Sequence, residues 1–160
     1  MYSNNGSVET EDKKVEEYYE DLSLDQIRES MLENLKVEKI ADSKLQLSKF
    51  LEENPLVSSC HGNKECAYSV TQEKQSLMMS QYMAYQIEKQ VNPNTVLTWN
   101  ESGEECEVWT EEEFLQLVLE VKHYVYPIIS YQQSIEKEIS SCQSIKELDA
   151  IIIDYEQFLK

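Results

Sequence analysis

Apolar residues recur along this chain in runs of helical spacing, separated by short stretches where they alternate or vanish. Leu24, Ile27, Met31 and Leu35 lie three or four positions apart, and Ser23 with Gln26 has the form of a capping box opening the run. A second series, Ile40, Leu47 and Leu51, follows out of phase. The shift near Lys36–Glu38 predicts one long helix with a twist or break there, ended at Asn54-Pro55. Residues 55–69 read as a loop. Ser69 or Thr71 then caps a second helix to about Gln90, with Leu77, Met78, Tyr82, Tyr85 and Ile87 on its buried face.

After Asn92-Pro93-Asn94 the period changes. T-V-L-T-W alternates β-branched and aromatic residues, C-E-V-W does so more briefly, and Gly103 falls at a turn position between them. This predicts a β-hairpin over about 95–109. Val96, Thr98 and Asn100 share one face and Thr95, Leu97 and Trp99 the other; Cys106 and Val108 lie opposite Glu107 and Trp109. Trp99 and Trp109, the only tryptophans, then sit on one sheet face and clamp the ribbon onto helices, since two strands alone are unstable in water.

Thr110 with Glu113 is a second capping box, and Glu111, Glu112 and Glu113 fill a first helical turn whose dipole favours negative charge. The helix beyond is the best patterned in the chain: Phe114, Val118, Val121, Val125, Ile128, Ile135 and Ile139, interrupted by Gln132. Pro127 inside it predicts a kink or a split. Its heptad-like spacing also allows helix pairing between copies, that is, a homo-oligomer. Ser144 with Glu147 opens a final helix with Leu148, Ile151, Ile152 and Tyr155 inward, antiparallel to its neighbour across a short link. The expected fold is therefore α+β and mostly α: about four helices, one hairpin packed on them, and a single helical domain over 23–160. Trp99, Trp109, Phe114 and Leu148 are its structural anchors.

Residues 1–22 break this patterning. Seven acids stand against Lys13 and Lys14, with few apolar residues, so the segment reads as an acidic, flexible arm. Tyr18 and Tyr19 are its natural anchors on a partner. The whole chain, 160 residues long, carries a net charge of −17, which opposes binding to nucleic acid phosphates or anionic membranes. No stretch approaches a membrane span, and the first residues lack a signal-peptide layout, which reads as a cytosolic protein. Cys60, Cys66, Cys106 and Cys142 are then expected as free thiols, although a Cys60–Cys66 bridge is sterically conceivable.

Candidate chemistry is thin. The cysteines with His61 and His123 lack knuckle spacing for zinc, and adjacency of Cys60 and His61 does not aim one side chain at the other. Three glycines provide no phosphate loop or dinucleotide fingerprint. Eight glutamates and no basic residue lie between Lys89 and Lys122; "NESGEECE" does not fit a calcium loop, and a solvated acidic face is the plainer reading. The expectation is a protein without enzymatic activity, metal or cofactor. The hairpin carboxylates Glu101, Glu104 and Glu105 are the candidate contact residues, together with Tyr18 and Tyr19.

Several motifs follow in order: Y-S-V-T-Q-E-K-Q-S-L (Tyr68–Leu77), L-T-W-N-E-S-G (Leu97–Gly103), W-T-E-E-E-F (Trp109–Phe114), V-K-H-Y-V (Val121–Val125) and S-I-K-E-L-D-A-I (Ser144–Ile151). Together, over about residues 35–155, they resemble a domain of unknown function from bacteriophages and prophages that accompanies tail-fibre and tail-associated proteins. The family's Y-x-T-x-x-x-Q-x-x-L theme falls on Tyr68, Val70, Thr71, Gln75 and Leu77 with loosened spacing. The resemblance implies a virion structural or tail-assembly protein, made in the bacterial cytoplasm, with other tail or virion proteins as partners. The competing expectation is an acidic decoy or anti-defence protein that blocks a basic host surface.

Overall fold

The computed structural model describes residues 23–159. The acidic arm, with Tyr18 and Tyr19, lies outside the described residues. The architecture is mostly α with two small antiparallel sheets. In chain order it runs α1 (Leu24–Glu53), β1 (Leu56–Ser58), β2 (Cys66–Tyr68), α2 (Gln72–Val91), β3 (Leu97–Trp99), β4 (Glu107–Trp109), α3 (Glu111–Ser141) and α4 (Ile145–Ala150), then a 3-10 turn at Glu156–Phe158. The hairpins are β1–β2 and β3–β4. The expectation of one hairpin is thus corrected to two: the segment read as a loop holds the first.

The long helices α1 and α3 pack on each other. Of the three expected capping boxes two form in full, Ser23 with Gln26 and Thr110 with Glu113; at Ser144 half forms, its hydroxyl accepting the Glu147 N–H while the Glu147 carboxylate accepts the N–H of Gln143. The expected break in α1 is absent, for a reason the pattern conceals. The buried positions of α1 include Lys36, Ser43 and Phe50, seven residues apart, so its inward stripe runs through polar side chains. The Lys36 ammonium donates to Glu33 at 2.8 Å and to the Ser140 carbonyl at 3.3 Å. Lys39 donates to the Leu148 carbonyl at 2.7 Å. Neither α3 nor α4 has a basic residue in its last turn, so α1 supplies the cations for these carbonyl ends. Opposite Ser43 lies Gln132, buried and donating to it at 3.4 Å. The apparent interruptions of the two apolar stripes therefore meet each other.

Pro127 does not split α3. It is exposed, and the carbonyl it deprives of a partner belongs to exposed His123, where water can replace the lost bond. At the other end the final helix stops at Ala150, earlier than expected. Three consecutive isoleucines disfavour helix continuation, and from Ile151 the chain runs without helix to the 3-10 turn. Burial then alternates: Ile151 and Tyr155 face inward, while Ile152 is 79% exposed, correcting its expected inward position. Tyr155 donates its hydroxyl to the Ser43 carbonyl at 2.9 Å, and burial pushes its pKa up to about 12.

Two apolar clusters result. Ile135, Ile139, Cys142, Leu148 and Ile151 form the smaller, against Leu32, Leu35 and Ile40. The larger is rich in aromatic rings and gathers Phe50, Tyr68, Leu97, Trp99, Trp109 and Phe114 beneath the hairpins. The face of α2 differs from expectation: Met78 and Tyr85 are buried, but Leu77 and Ile87 are exposed. Leu24 and Met31 of α1 are exposed as well.

Candidate functional site

Both hairpins sit at one end of the α1–α3 pair, and the concavity between them is lined by residues of both. In β3–β4, Leu97 pairs with Trp109 and Trp99 with Glu107. Leu97, Trp99 and Trp109 point into the core while Val108 is 61% exposed, as strict alternation demands. Gly103 takes φ +81° in the turn, a left-handed conformation natural to glycine. Phe114 stands nearly perpendicular to both indoles, with ring centroids 5.7 Å from Trp99 and 6.4 Å from Trp109. The clamp is therefore the first turn of α3.

The β1–β2 hairpin turns through Gly62 and Asn63, both at positive φ. It is fastened to its neighbour by polar contacts. The Ser102 N–H donates to the Ala67 carbonyl at 2.8 Å, and Lys64 pairs with Glu101 at 3.3 Å. His61 lies flat on Trp109, ring centroids 4.2 Å apart and 5° from parallel, and Tyr68 meets the same indole edge-on. The two ring nitrogens of His61 face different carboxylates, Glu113 and Glu107, each at 3.2 Å.

Glu113 joins these parts. It accepts the Thr110 N–H at 2.9 Å as the capping-box acid of α3, and its other oxygen accepts the Gly62 N–H at 3.2 Å. One side chain thus caps a helix and holds the turn of a hairpin some fifty residues earlier. The Thr110 N–H, then that of Gly62 and the His61 ring, hold its carboxyl down at about 2, against partial burial that acts the other way. Nearby, Glu111 collects Tyr82, Gln86 and Lys89 of α2, which keep its carboxyl below the usual range, Lys89 most strongly.

The resulting hollow has a volume of about 270 Å³, with Tyr68, Trp99 and Trp109 at its base and Glu101, Glu104, Glu105 and Glu107 around its rim. Glu101 is half-buried and held by Cys66 and Lys64, which lower its carboxyl pKa. Glu104 and Glu105 stand exposed. The sequence-predicted contact residues of the hairpin are brought together here. Trp99, Trp109 and Phe114 lie directly beneath, whereas Leu148 belongs to the other cluster. His61, Lys64, Cys66 and Tyr68 complete the site and were not expected in it. The available signal was Gly62-Asn63, a turn dipeptide, but its flanking strands are only three residues long and seven residues apart.

Of the two nearby thiols, Cys66 lines the hollow and Cys60 does not. Burial pushes the Cys60 thiol up, and a hydrogen bond to Glu101 pushes the Cys66 thiol up, which disfavours the reactive thiolate. All four cysteines are free. Among the described residues no cluster of three or more His, Cys, Asp or Glu has metal-binding geometry, and no helix is long and apolar enough to cross a membrane. Comparison with protein-family models, with curated proteins and with solved structures returned no match.

Proposed function

We propose that the protein is a non-enzymatic docking module, acting through protein–protein contacts at its paired-hairpin end. Following the motif order described above, we assign it to the virion or tail-assembly proteins of a bacteriophage, with other tail or virion proteins as partners. The observation that carries the docking reading is the hollow built by the two tied ribbons. Two ribbons, each too small to be stable alone, are locked together and onto α3, and they hold exposed Glu104 and Glu105 at the rim. A surface fixed in advance loses little entropy on binding. Its charge favours a basic patch on the partner.

The decoy reading requires carboxylates free to form a continuous phosphate-like face. Several acids are instead engaged locally: Glu113 on Thr110 and Gly62, Glu111 on Lys89, Glu101 on Lys64, Glu136 on Lys44. That distribution favours docking over mimicry.

Mass spectrometry of purified virions tests the assignment. Finding the protein at stoichiometric abundance is the expected result, and Glu104→Lys with Glu105→Lys should reduce its incorporation. Its complete absence from virions would defeat the structural version and leave an assembly chaperone.

A further inference from the structure

Helix α2 presents a second surface, remote in character from the acidic hollow. From Gln75 to Ile87 thirteen residues pass without a charge, in a chain that is 28% charged and carries −17. One side of the helix is used: Met78 and Tyr85 are buried, and Gln81 reaches Thr98 of β3. On the opposite side Met79, Met83, Ile87 and Val91 follow at four-residue steps, and they are 51%, 61%, 62% and 86% exposed. Ser76 and Ser80 lie among them, with hydroxyls turned back onto the carbonyls of Gln72 and Ser76. Those hydroxyls are satisfied within the helix, so covering them leaves no donor stranded. A helix that is apolar on both sides is ordinarily covered on both.

We propose that this face is covered by the same face of a second copy, giving a two-fold dimer with antiparallel α2 helices. Charge argues for that occupant. Two bodies at −17 repel wherever their acids meet, and an uncharged stripe is where they can approach. A basic partner would be drawn to the carboxylates instead. Geometry agrees. A two-fold axis at Met83 sets Met79 of one copy against Ile87 of the other, and the serines allow close approach. The area is sufficient as well. Met79, Met83, Ile87 and Val91, and Leu77 at the edge, offer on the order of 100 Å² each, so full cover of both faces removes on the order of 1,000 Å² from water, the lower limit for a specific interface. This stripe replaces the one the sequence suggested: Phe114, Val121, Ile128 and Ile139 of α3 are spent in the protein's own core. The dimer stands or falls independently of the virion reading.

Sedimentation equilibrium of the full chain from roughly 1 to 100 µM tests it. The expected result is a reversible dimer whose dissociation constant rises about 100-fold or more in Met83→Glu, because two like charges are then buried face to face. Met79→Glu should act alike. Val57→Glu, at an equally exposed apolar position on β1, should leave the dimer intact. A chain still monomeric at the top concentration overturns the proposal and leaves the face to a different partner. So does a dimer that survives Met83→Glu and Met79→Glu, or one that Val57→Glu abolishes equally.

Discussion

The two hairpins are the same size and share one aromatic cluster, through Tyr68 and His61 on Trp109, yet polar contacts carry a larger share in fixing the first. The β3–β4 ribbon is fixed by apolar packing: Leu97, Trp99 and Trp109 are buried, with Phe114 against both indoles. The β1–β2 ribbon buries Tyr68 and the small polar Ser58, while Val57 points outward. Its turn depends on Glu113, Glu107 and Glu101 receiving Gly62, His61 and Lys64. Packing requires large apolar residues at alternate positions, which a sequence displays. Polar docking needs single residues whose partners are far away in sequence, which it does not.

The largest test of this contrast is removal of an indole. Trp109→Ala should cost on the order of 3–5 kcal/mol, as for other buried aromatics, and Trp99→Ala about 3 kcal/mol. Trp109 should cost more, because it carries His61 and Tyr68 in addition to Phe114. Urea midpoints measure both; an unchanged midpoint in either would break the packing account.

Glu113→Gln should have a smaller effect, about 1.5–3 kcal/mol at neutral pH, the range for hydrogen bonds to a charged group. Its pH dependence is specific. The folded pKa of about 2 lies below the ordinary 4.5, so the carboxylate's contribution is complete above about 4.5 and is lost as pH falls toward 2. The wild type should therefore lose stability across that window more steeply than the variant. Hydrogen exchange should quicken at Gly62 and along β1–β2 well before β3–β4. Uniform quickening of both ribbons would show that they open as one unit.

Smallest are the turn glycines. Gly103→Ala and Gly62→Ala meet open space, so only the strained positive φ opposes them, at about 1 kcal/mol each. If polar contacts pin the first turn, Gly62→Ala should also quicken exchange along β1–β2. Gly103→Ala should leave that ribbon's exchange unchanged.

How far the chain was legible follows the same division. The three box motifs at Ser23, Thr110 and Ser144 marked helix starts within a residue, because a cap is a local bond between positions three apart. The alternation from Val96 to Trp109 marked one ribbon and its inward face. The apparent phase break in α1 was misleading: Lys36 and Ser43 look like surface residues, yet besides their local bonds to Glu33 and Ile40 they meet Ser140 and Gln132 of α3, about ninety to a hundred residues later. The run Ile151-Ile152-Ile153 suits either a helix face or an extended segment; contact with Ser43 through Tyr155 accompanies the extended form. For the hollow, Glu101, Glu104 and Glu105 were legible as a charged turn, whereas His61, Lys64 and Cys66 were not.

By itself, then, the sequence determined the helices, their starts, the tryptophan ribbon and the acidic surface. Each of these follows from residues within one or two turns or one strand pair of each other. Tertiary structure alone decided that a second ribbon forms, that Glu113 serves two elements, and which side of α2 stays uncovered. Those outcomes depend on free energies shared between distant segments: a buried lysine, a stacked imidazole or a two-strand ribbon is unfavourable until its remote partner arrives.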